Sequence, residues 1–97
     1  MRRNQKLTRV IQGRTVQRAT AELGKLLINF DDQSTMQVKT AGIADMFPPG
    51  GKIKGVLEGG VSLTIQFEDA PAVNLQLADP GASVAVRDKN NEVEYLG

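Results

Sequence analysis

The sequence predicts a mostly β protein: one antiparallel barrel or sandwich of about eight short strands, with a short N-terminal helix. Three observations support this fold class. The chain has 97 residues, 40% of them hydrophobic, which suits one core but not two. Apolar side chains alternate with a period of two over most of its length. That alternation also recurs 37 positions further along the chain.

The recurrence is found by aligning residues 13–41 with residues 50–78 without a gap, which pairs Phe30 with Phe67 and Asp32 with Asp69. Apolar residues match at most of the other core-type positions: Val16 with Ile53, Leu26 with Leu63, Ile28 with Ile65, Met36 with Val73 and Val38 with Leu75. We therefore predict two copies of one supersecondary unit, joined by a linker over residues 42–49.

Each unit contains a hairpin. In the first unit, Leu26, Ile28 and Phe30 alternate with Lys25, Leu27, Asn29 and Asp31, and the equivalent residues of the second unit show the same alternation. The turns at residues 31–34 and 68–71 consist of residues that favour turns, because their short polar side chains bond nearby backbone amides.

The segment that leads each unit is ambiguous by itself. Residues 14–23 have apolar positions at helical spacing and good helix formers, and a helix there would give an α+β protein. The equivalent segment contains Gly55, Gly59 and Gly60, which weaken a helix but are tolerated in a bent strand. If the units share one structure, both segments are strands and each unit is a three-stranded meander.

The two ends of the chain complete the expected fold. Residues 79–97 contain a Pro-Gly turn followed by two alternating runs, which predicts a C-terminal hairpin. Residues 1–12 form a basic segment in which Leu7, Val10 and Ile11 have helical spacing. We expect a short helix there, with Asn4 as its N-cap and Gly13 just beyond its end.

Composition excludes several classes of function. The chain has no Cys and no His, which removes disulfides, the commonest metal ligands and the usual catalytic base near neutral pH. We therefore expect neither catalysis nor a cofactor. No stretch approaches the ~20 apolar residues of a membrane span, and the basic start lacks the apolar run of a signal peptide. A cytoplasmic location without membrane attachment is expected.

Charge is distributed unevenly along the chain. The first 25 residues contain seven basic residues and one acidic residue, a net charge of +6, and the rest of the chain has a net charge of −5. The basic residues that we consider for nucleic-acid binding are Arg2, Arg3, Lys6, Arg9, Arg14 and Arg18. The alternative is a solvated helix face, and no aromatic residue lies among them to stack on a base.

Four acidic residues lie in equivalent turns: Asp31, Asp32, Glu68 and Asp69. Turn chemistry accounts for them, so we predict no metal site. If the symmetry of the repeat brought the turns together, their oxygens would be weak candidates for holding a hard cation. The same carboxylates are what an enzyme built from acidic residues alone would use.

Met46 and Phe47 are large apolar residues within the linker, where they either join the core or anchor a protein partner. Strands that do not close into a barrel also leave edges, on which a partner strand or a second copy of the chain can pair. The function indicated is a non-catalytic protein-binding or adaptor module, with homodimerisation open. The alternatives are a nucleic-acid-associated protein that uses the basic segment and an enzyme that uses carboxylates alone.

Overall fold

The computed structural model describes residues 1–97 and contains one helix and two antiparallel sheets. The elements in chain order are β1 (Arg2–Arg3), α1 (Gln5–Ile11), β2 (Val16–Glu22), β3 (Lys25–Phe30), β4 (Thr35–Lys39), β5 (Ile53–Gly59), β6 (Ser62–Phe67), β7 (Val73–Gln76), β8 (Val84–Arg87) and β9 (Val93–Leu96). One sheet has the order β1-β5-β6-β7 and the other β2-β3-β4-β8-β9. The predicted mostly β class is confirmed, and the sheets form a sandwich rather than a closed barrel.

Helix α1 begins and ends where its caps predict. The Asn4 side chain accepts a hydrogen bond from the Leu7 N–H at 3.0 Å, and Gly13 follows with a φ of +84°. Leu7 and Ile11 are fully buried, whereas Lys6 and Arg9 face solvent. The predicted amphipathic helix is therefore confirmed, and the two residues Arg2–Arg3 before it form a ninth strand beyond the expected eight.

The two predicted meanders are β2-β3-β4 and β5-β6-β7. The register is the same in both: Ala19 pairs with Ile28 as Val56 pairs with Ile65, and both first hairpins shift register at equivalent bulges. Residues 16–22 form a strand, so the helical alternative for the first leading segment is wrong. Val16 and Ala19 are three positions apart, which is a spacing typical of a helix. The β-bulge between Val16 and Arg18 inserts one extra residue into the strand, so both side chains still face the core.

The units meet at a junction with approximate two-fold symmetry. Thr15 pairs with Lys52, the residue 37 positions later. The Gly13 N–H donates to the Ile53 carbonyl at 2.8 Å, and the Gly50 N–H donates to the Val16 carbonyl at 2.9 Å. Gly50 lies 37 positions after Gly13, and Val16 lies 37 positions before Ile53. The two bonds therefore join equivalent residues, with the two units exchanged. This correspondence agrees with duplication of one unit, which stays a prediction.

One core joins the whole molecule. Nineteen buried apolar residues form a single cluster to which both meanders, α1, β8 and the linker contribute. Strands β8 and β9 extend the first meander beside β4, in agreement with the predicted C-terminal hairpin. No helix in the structure is long and apolar enough to cross a membrane.

Candidate functional site

The free edge of β2 is the longest uncovered strand edge in the molecule. Strand β2 has seven residues, ends the five-stranded sheet and is paired with no strand other than β3. Its first residue, Val16, is bonded on the outer side to Gly50 and Gly51, so the free edge consists of residues 17–22. Beyond Val16, its residues are exposed except for the half-buried Ala19. An exposed edge of this length presents a row of backbone donors and acceptors to any strand that approaches it.

The backbone bonds of β3 show which groups of β2 face outward. The Phe30 N–H donates towards β4, to the Ser34 carbonyl, whereas the Asp31 N–H donates in the opposite direction, to the Thr15 carbonyl. Because these directions alternate along an antiparallel strand, Leu27, four residues before Asp31, also directs its backbone groups towards β2. Leu27 is therefore hydrogen-bonded to its partner Thr20. The N–H and C=O groups of Ala19 and Ala21 therefore point away from β3, towards the free edge.

The equivalent edge of β5 is covered by the chain's own N-terminal segment. Val56 and Glu58 lie 37 positions after Ala19 and Ala21. The Val56 carbonyl accepts from the Asn4 N–H at 2.9 Å, and the Val56 N–H donates to the buried Thr8 hydroxyl at 3.0 Å. Glu58 pairs with Arg2 of β1. The equivalent backbone groups of β2, those of Ala19 and Ala21, thus have no such partner within the chain.

The remaining edges are shorter or covered. Strand β7 has four residues and lies along the linker, with which it lines two shallow cavities. Strand β9 also has four residues and packs against α1, where the Tyr95 hydroxyl accepts from the Asn4 side chain at 3.0 Å. Strand β1 has only two residues. The β2 edge is therefore the place where a further strand fits.

The exposed face of β2 carries two opposite charges. Arg18, Thr20 and Glu22 lie on the solvent face of the sheet, because their neighbours on β3 alternate with the buried Leu26, Ile28 and Phe30. Neither Arg18 nor Glu22 makes an ion pair within the chain, whose three ion pairs involve Arg14 and Lys52. Both charges are free for a partner.

The six basic residues of the sequence hypothesis do not share one surface. Arg3 and Arg9 line a shallow depression of about 370 Å³ beside α1, together with Gln5, Thr8 and Gln12. Arg2 and Lys6 are also exposed on this N-terminal segment. Arg18 lies on β2, whose packed neighbour is β3, whereas α1 packs on β5 and β9.

Arg14 is engaged within the protein. Its guanidinium pairs with Glu94 at 2.9 Å and with Asp32 at 3.6 Å, and it donates to the Ser34 hydroxyl at 3.0 Å. It also lies over the Phe30 ring, 5.8 Å from the ring centre. Arg14 therefore ties a turn to β9, and we do not count it as a free cation for phosphate.

Three of the four acidic turn residues, Asp32, Glu68 and Asp69, make local contacts through their side chains. Asp32 accepts hydrogen bonds from the Ser34 N–H at 2.9 Å and from the Ser34 hydroxyl, whereas Glu68 pairs with Lys52 at 3.6 Å. No group of three or more acidic side chains in the structure lies close enough to hold a metal ion. Partial burial raises the pKa of Asp32, but the bonds from Ser34 and the charge of Arg14 outweigh it and hold this pKa below its ordinary value.

The linker residues Met46 and Phe47 point in different directions. Phe47 is buried and its ring packs edge-on against Phe67, with 5.6 Å between the ring centres. Met46 is 86% exposed, and Ile43 on the same linker is 69% exposed. Of the two residues that we considered for binding, only Met46 has its side chain exposed to solvent.

Comparison of the chain with protein-family models, with curated proteins and with solved structures found no match. The free edge of β2 is therefore the feature of the molecule that points to a function. Sequence reasoning predicted that edges exist but did not identify Ala19 and Ala21. The available signal was that residues 17–22 contain only polar residues and alanines, which is typical of a strand that buries little.

Proposed function

We propose that this protein is a non-catalytic protein-binding module that adds an extended segment of its partner to the free edge of β2. One observation carries the proposal. Two equivalent strands have the same register and the same bulge, but the chain supplies a covering segment for β5 and none for β2. The edge of β5 binds β1 and the first turn of α1. The edge of β2 has the same geometry and is thus open to another chain.

Strand addition suits the chemistry of this edge. The outward N–H and C=O groups of Ala19 and Ala21 provide backbone hydrogen bonds that do not depend on the partner's sequence. The side chains of Arg18, Thr20 and Glu22 add selectivity on the solvent face through cross-strand pairs. Because the alanine side chains are small, a partner strand can approach without steric obstruction.

The alternative of a carboxylate-only enzyme has no supporting observation. Its acidic candidates lie in turns, and the lowered pKa of Asp32 keeps that group ionised near neutral pH. A general acid needs the opposite shift, towards the working pH. The location that we propose for the module is the cytoplasm, which stays an expectation from the sequence.

The test is selection of peptides from a random-sequence display library on the immobilised protein. We expect enriched peptides that bind the wild type, bind the Ala21→Val variant equally, and lose at least about tenfold in affinity for the Ala21→Pro variant. Proline removes the outward N–H without touching the bonds to β3, whereas valine keeps it. Peptides that bind all three proteins equally, or no enrichment under dilute conditions in which the protein is monomeric, would refute strand addition.

A second candidate function has one observation in its favour. The depression beside α1 is lined by Arg3 and Arg9 and has no carboxylate among its lining residues, a combination that suits a phosphate. Binding to mixed-sequence nucleic acid across a salt series tests it. We expect the Arg3→Gln, Arg9→Gln double variant to lower the salt slope by about 2, with Arg18→Gln as the matched control. No binding at low salt would exclude this function.

A further inference from the structure

We infer that the strand accepted at this edge is β2 of a second copy of the chain, paired antiparallel with Thr20 opposite Thr20. The inference rests on the proposed function, since it uses the same backbone groups, and it adds the identity of the partner and the register. Two features of β2 lead to it: the direction of its free backbone groups and the placement of its two unpaired charges.

The backbone groups match in this register. With Thr20 opposite Thr20, Ala19 of one copy lies opposite Ala21 of the other, and the reverse pair forms by symmetry. Both alanines direct their N–H and C=O groups outward, so each pair exchanges two hydrogen bonds. Thr20, whose own backbone groups are used by β3, occupies the position between them that makes no such bonds.

The charges match in the same register. Arg18 and Glu22 lie two residues on either side of Thr20, so Arg18 of each copy comes opposite Glu22 of the other. Opposite charges at directly facing positions stabilise a strand pair, and like charges destabilise it. Parallel pairing in register would oppose Arg18 to Arg18. An antiparallel shift centred on Ala19 or Ala21 would keep the backbone match but lose both ion pairs.

The charges therefore have a selective role. Natural edge strands carry charged residues to discourage indiscriminate pairing, and bulges such as the one near Val16 act in the same direction. In the two-fold register these protective charges become complementary. The resulting sheet has ten strands across two copies, and the two-fold pairing uses the β2 edge of both copies. The strand at each outer end is β9, a short strand of four residues that packs against α1.

The first experiment is sedimentation of charge variants over concentrations from about 1 μM to about 1 mM, since an interface made by one strand is small and its affinity modest. We expect the wild type to dimerise. The Arg18→Glu and Glu22→Arg variants should each dimerise at least about tenfold more weakly, because two symmetry-related pairs change sign together.

Mixing provides the decisive control. In a mixture of the Arg18→Glu and Glu22→Arg variants, each copy carries two like charges that are opposite to those of its partner. The mixture should therefore regain a heterodimer of near wild-type affinity, and the double variant Arg18→Glu, Glu22→Arg should regain the homodimer. A merely structural effect of either substitution would not be rescued by mixing.

The register is measured with a single cysteine, since the natural chain has none. Facing residues that are not hydrogen-bonded lie about 4.5 Å apart at Cα, which is within reach of a disulfide. The Thr20→Cys variant should form an intermolecular disulfide at least about tenfold faster than Gln37→Cys, which places the thiol on the exposed face of the central strand β4.

The outcomes separate this inference from the proposed function. A wild type that stays monomeric at every concentration, yet binds library peptides in a manner sensitive to Ala21→Pro, would overturn the second copy as partner and keep strand addition. The register would be overturned by a dimer whose affinity does not change in the charge variants and in which Thr20→Cys forms the disulfide no faster than Gln37→Cys. Loss of dimerisation in Ala21→Pro, together with rescue by mixing, would support both.

Discussion

Strands β2 and β5 are equivalent in sequence position, register and bulge, but their outer edges differ. The N-terminal segment, residues 1–12, precedes the first unit in the chain but covers β5 of the second unit. By the same symmetry, the residues that precede the second unit would cover β2. The positions equivalent to Arg2 and Arg3 are Lys39 and Thr40, which already complete β4 and its bridge to Leu77. Two units of the same register therefore produce two equivalent edges, and only one segment of the chain closes one of them.

The linker cannot replace the missing cover. Residues 42–48 are equivalent in position to α1, but they begin with Gly42 in a left-handed conformation and end with Pro48. Proline lacks the N–H that a strand ladder or a helix interior requires. Phe47 instead enters the core, where it contacts Phe67. Burial of one aromatic ring thus directs the linker away from the β2 edge.

The largest expected contrast between the two edges is in amide exchange. In dilute solution the Val56 amide, which is bonded to the buried Thr8 hydroxyl, should exchange at least about 10³-fold more slowly than the Ala19 amide. Hydrogen-exchange NMR measures both in one sample. Similar rates for these two amides would mean that β2 is covered or that β5 is open, and either finding would contradict the comparison.

Removing the helix's main anchor should open the β5 edge. Leu7 is fully buried in the core cluster, so Leu7→Ala is expected to lower the free energy of unfolding by about 2–5 kcal/mol. Urea unfolding measures the loss. Lys6→Ala, at an exposed position on the same helix, should change stability by no more than about 0.5 kcal/mol and serves as the control.

The bond from Val56 to Thr8 tests the cover more locally. Thr8→Val keeps the shape of the side chain but leaves the buried Val56 N–H without its acceptor, at a cost of about 1–3 kcal/mol. Thr8→Ser keeps the hydroxyl and should lose less stability. Equal losses in the two variants, measured by urea unfolding, would show that the hydroxyl is not what closes this edge.

The turns that follow β3 and β6 differ in backbone conformation. Gln33 has a φ of +71°, whereas Ala70, at the equivalent position, has no positive φ. Gln33→Gly should therefore raise the free energy of unfolding by about 0.5–1 kcal/mol through relief of strain. Ala70→Gly should lower it, because only chain entropy changes there. Thermal unfolding of the two variants distinguishes the signs.

The smallest effect concerns Asp32, whose lowered pKa gives it a stabilising role above its unfolded pKa. At pH 7, Asp32→Asn should cost about 0.5 kcal/mol, reduced by the solvent exposure of the pair with Arg14. The difference from the wild type should disappear as the pH falls through the folded pKa, below about 3.8. A difference that persists at lower pH would indicate a role other than charge.

Part of this structure follows from local patterns. The alternation of Leu26, Ile28 and Phe30, and the spacing of Leu7 and Ile11, predicted strands and a helix that are present with the expected buried faces. The ambiguity over residues 14–23 was resolved by comparing them with their glycine-containing equivalent. These predictions succeed because burial of alternate or helically spaced side chains depends on near neighbours in the sequence.

The candidate site was less predictable. The sequence indicated that edges would remain, and it named Met46, Phe47 and six basic residues as candidates. It did not single out Ala19 and Ala21, whose importance lies in backbone groups that every residue shares. Whether such a group is bonded depends on segments far away in the chain, such as Asn4 and Thr8 for Val56.

The sequence by itself determined the mostly β class, the hairpins, the capped helix and the 37-residue correspondence, because these arise from side-chain patterns within one unit. Only the tertiary structure decided that the N-terminal segment closes β5, that Phe47 takes the linker into the core, and that β2 stays open. The physical reason is that only one covering segment is present for two equivalent edges, and the packing of Leu7, Ile11 and Phe47 in a common core determines which edge stays open.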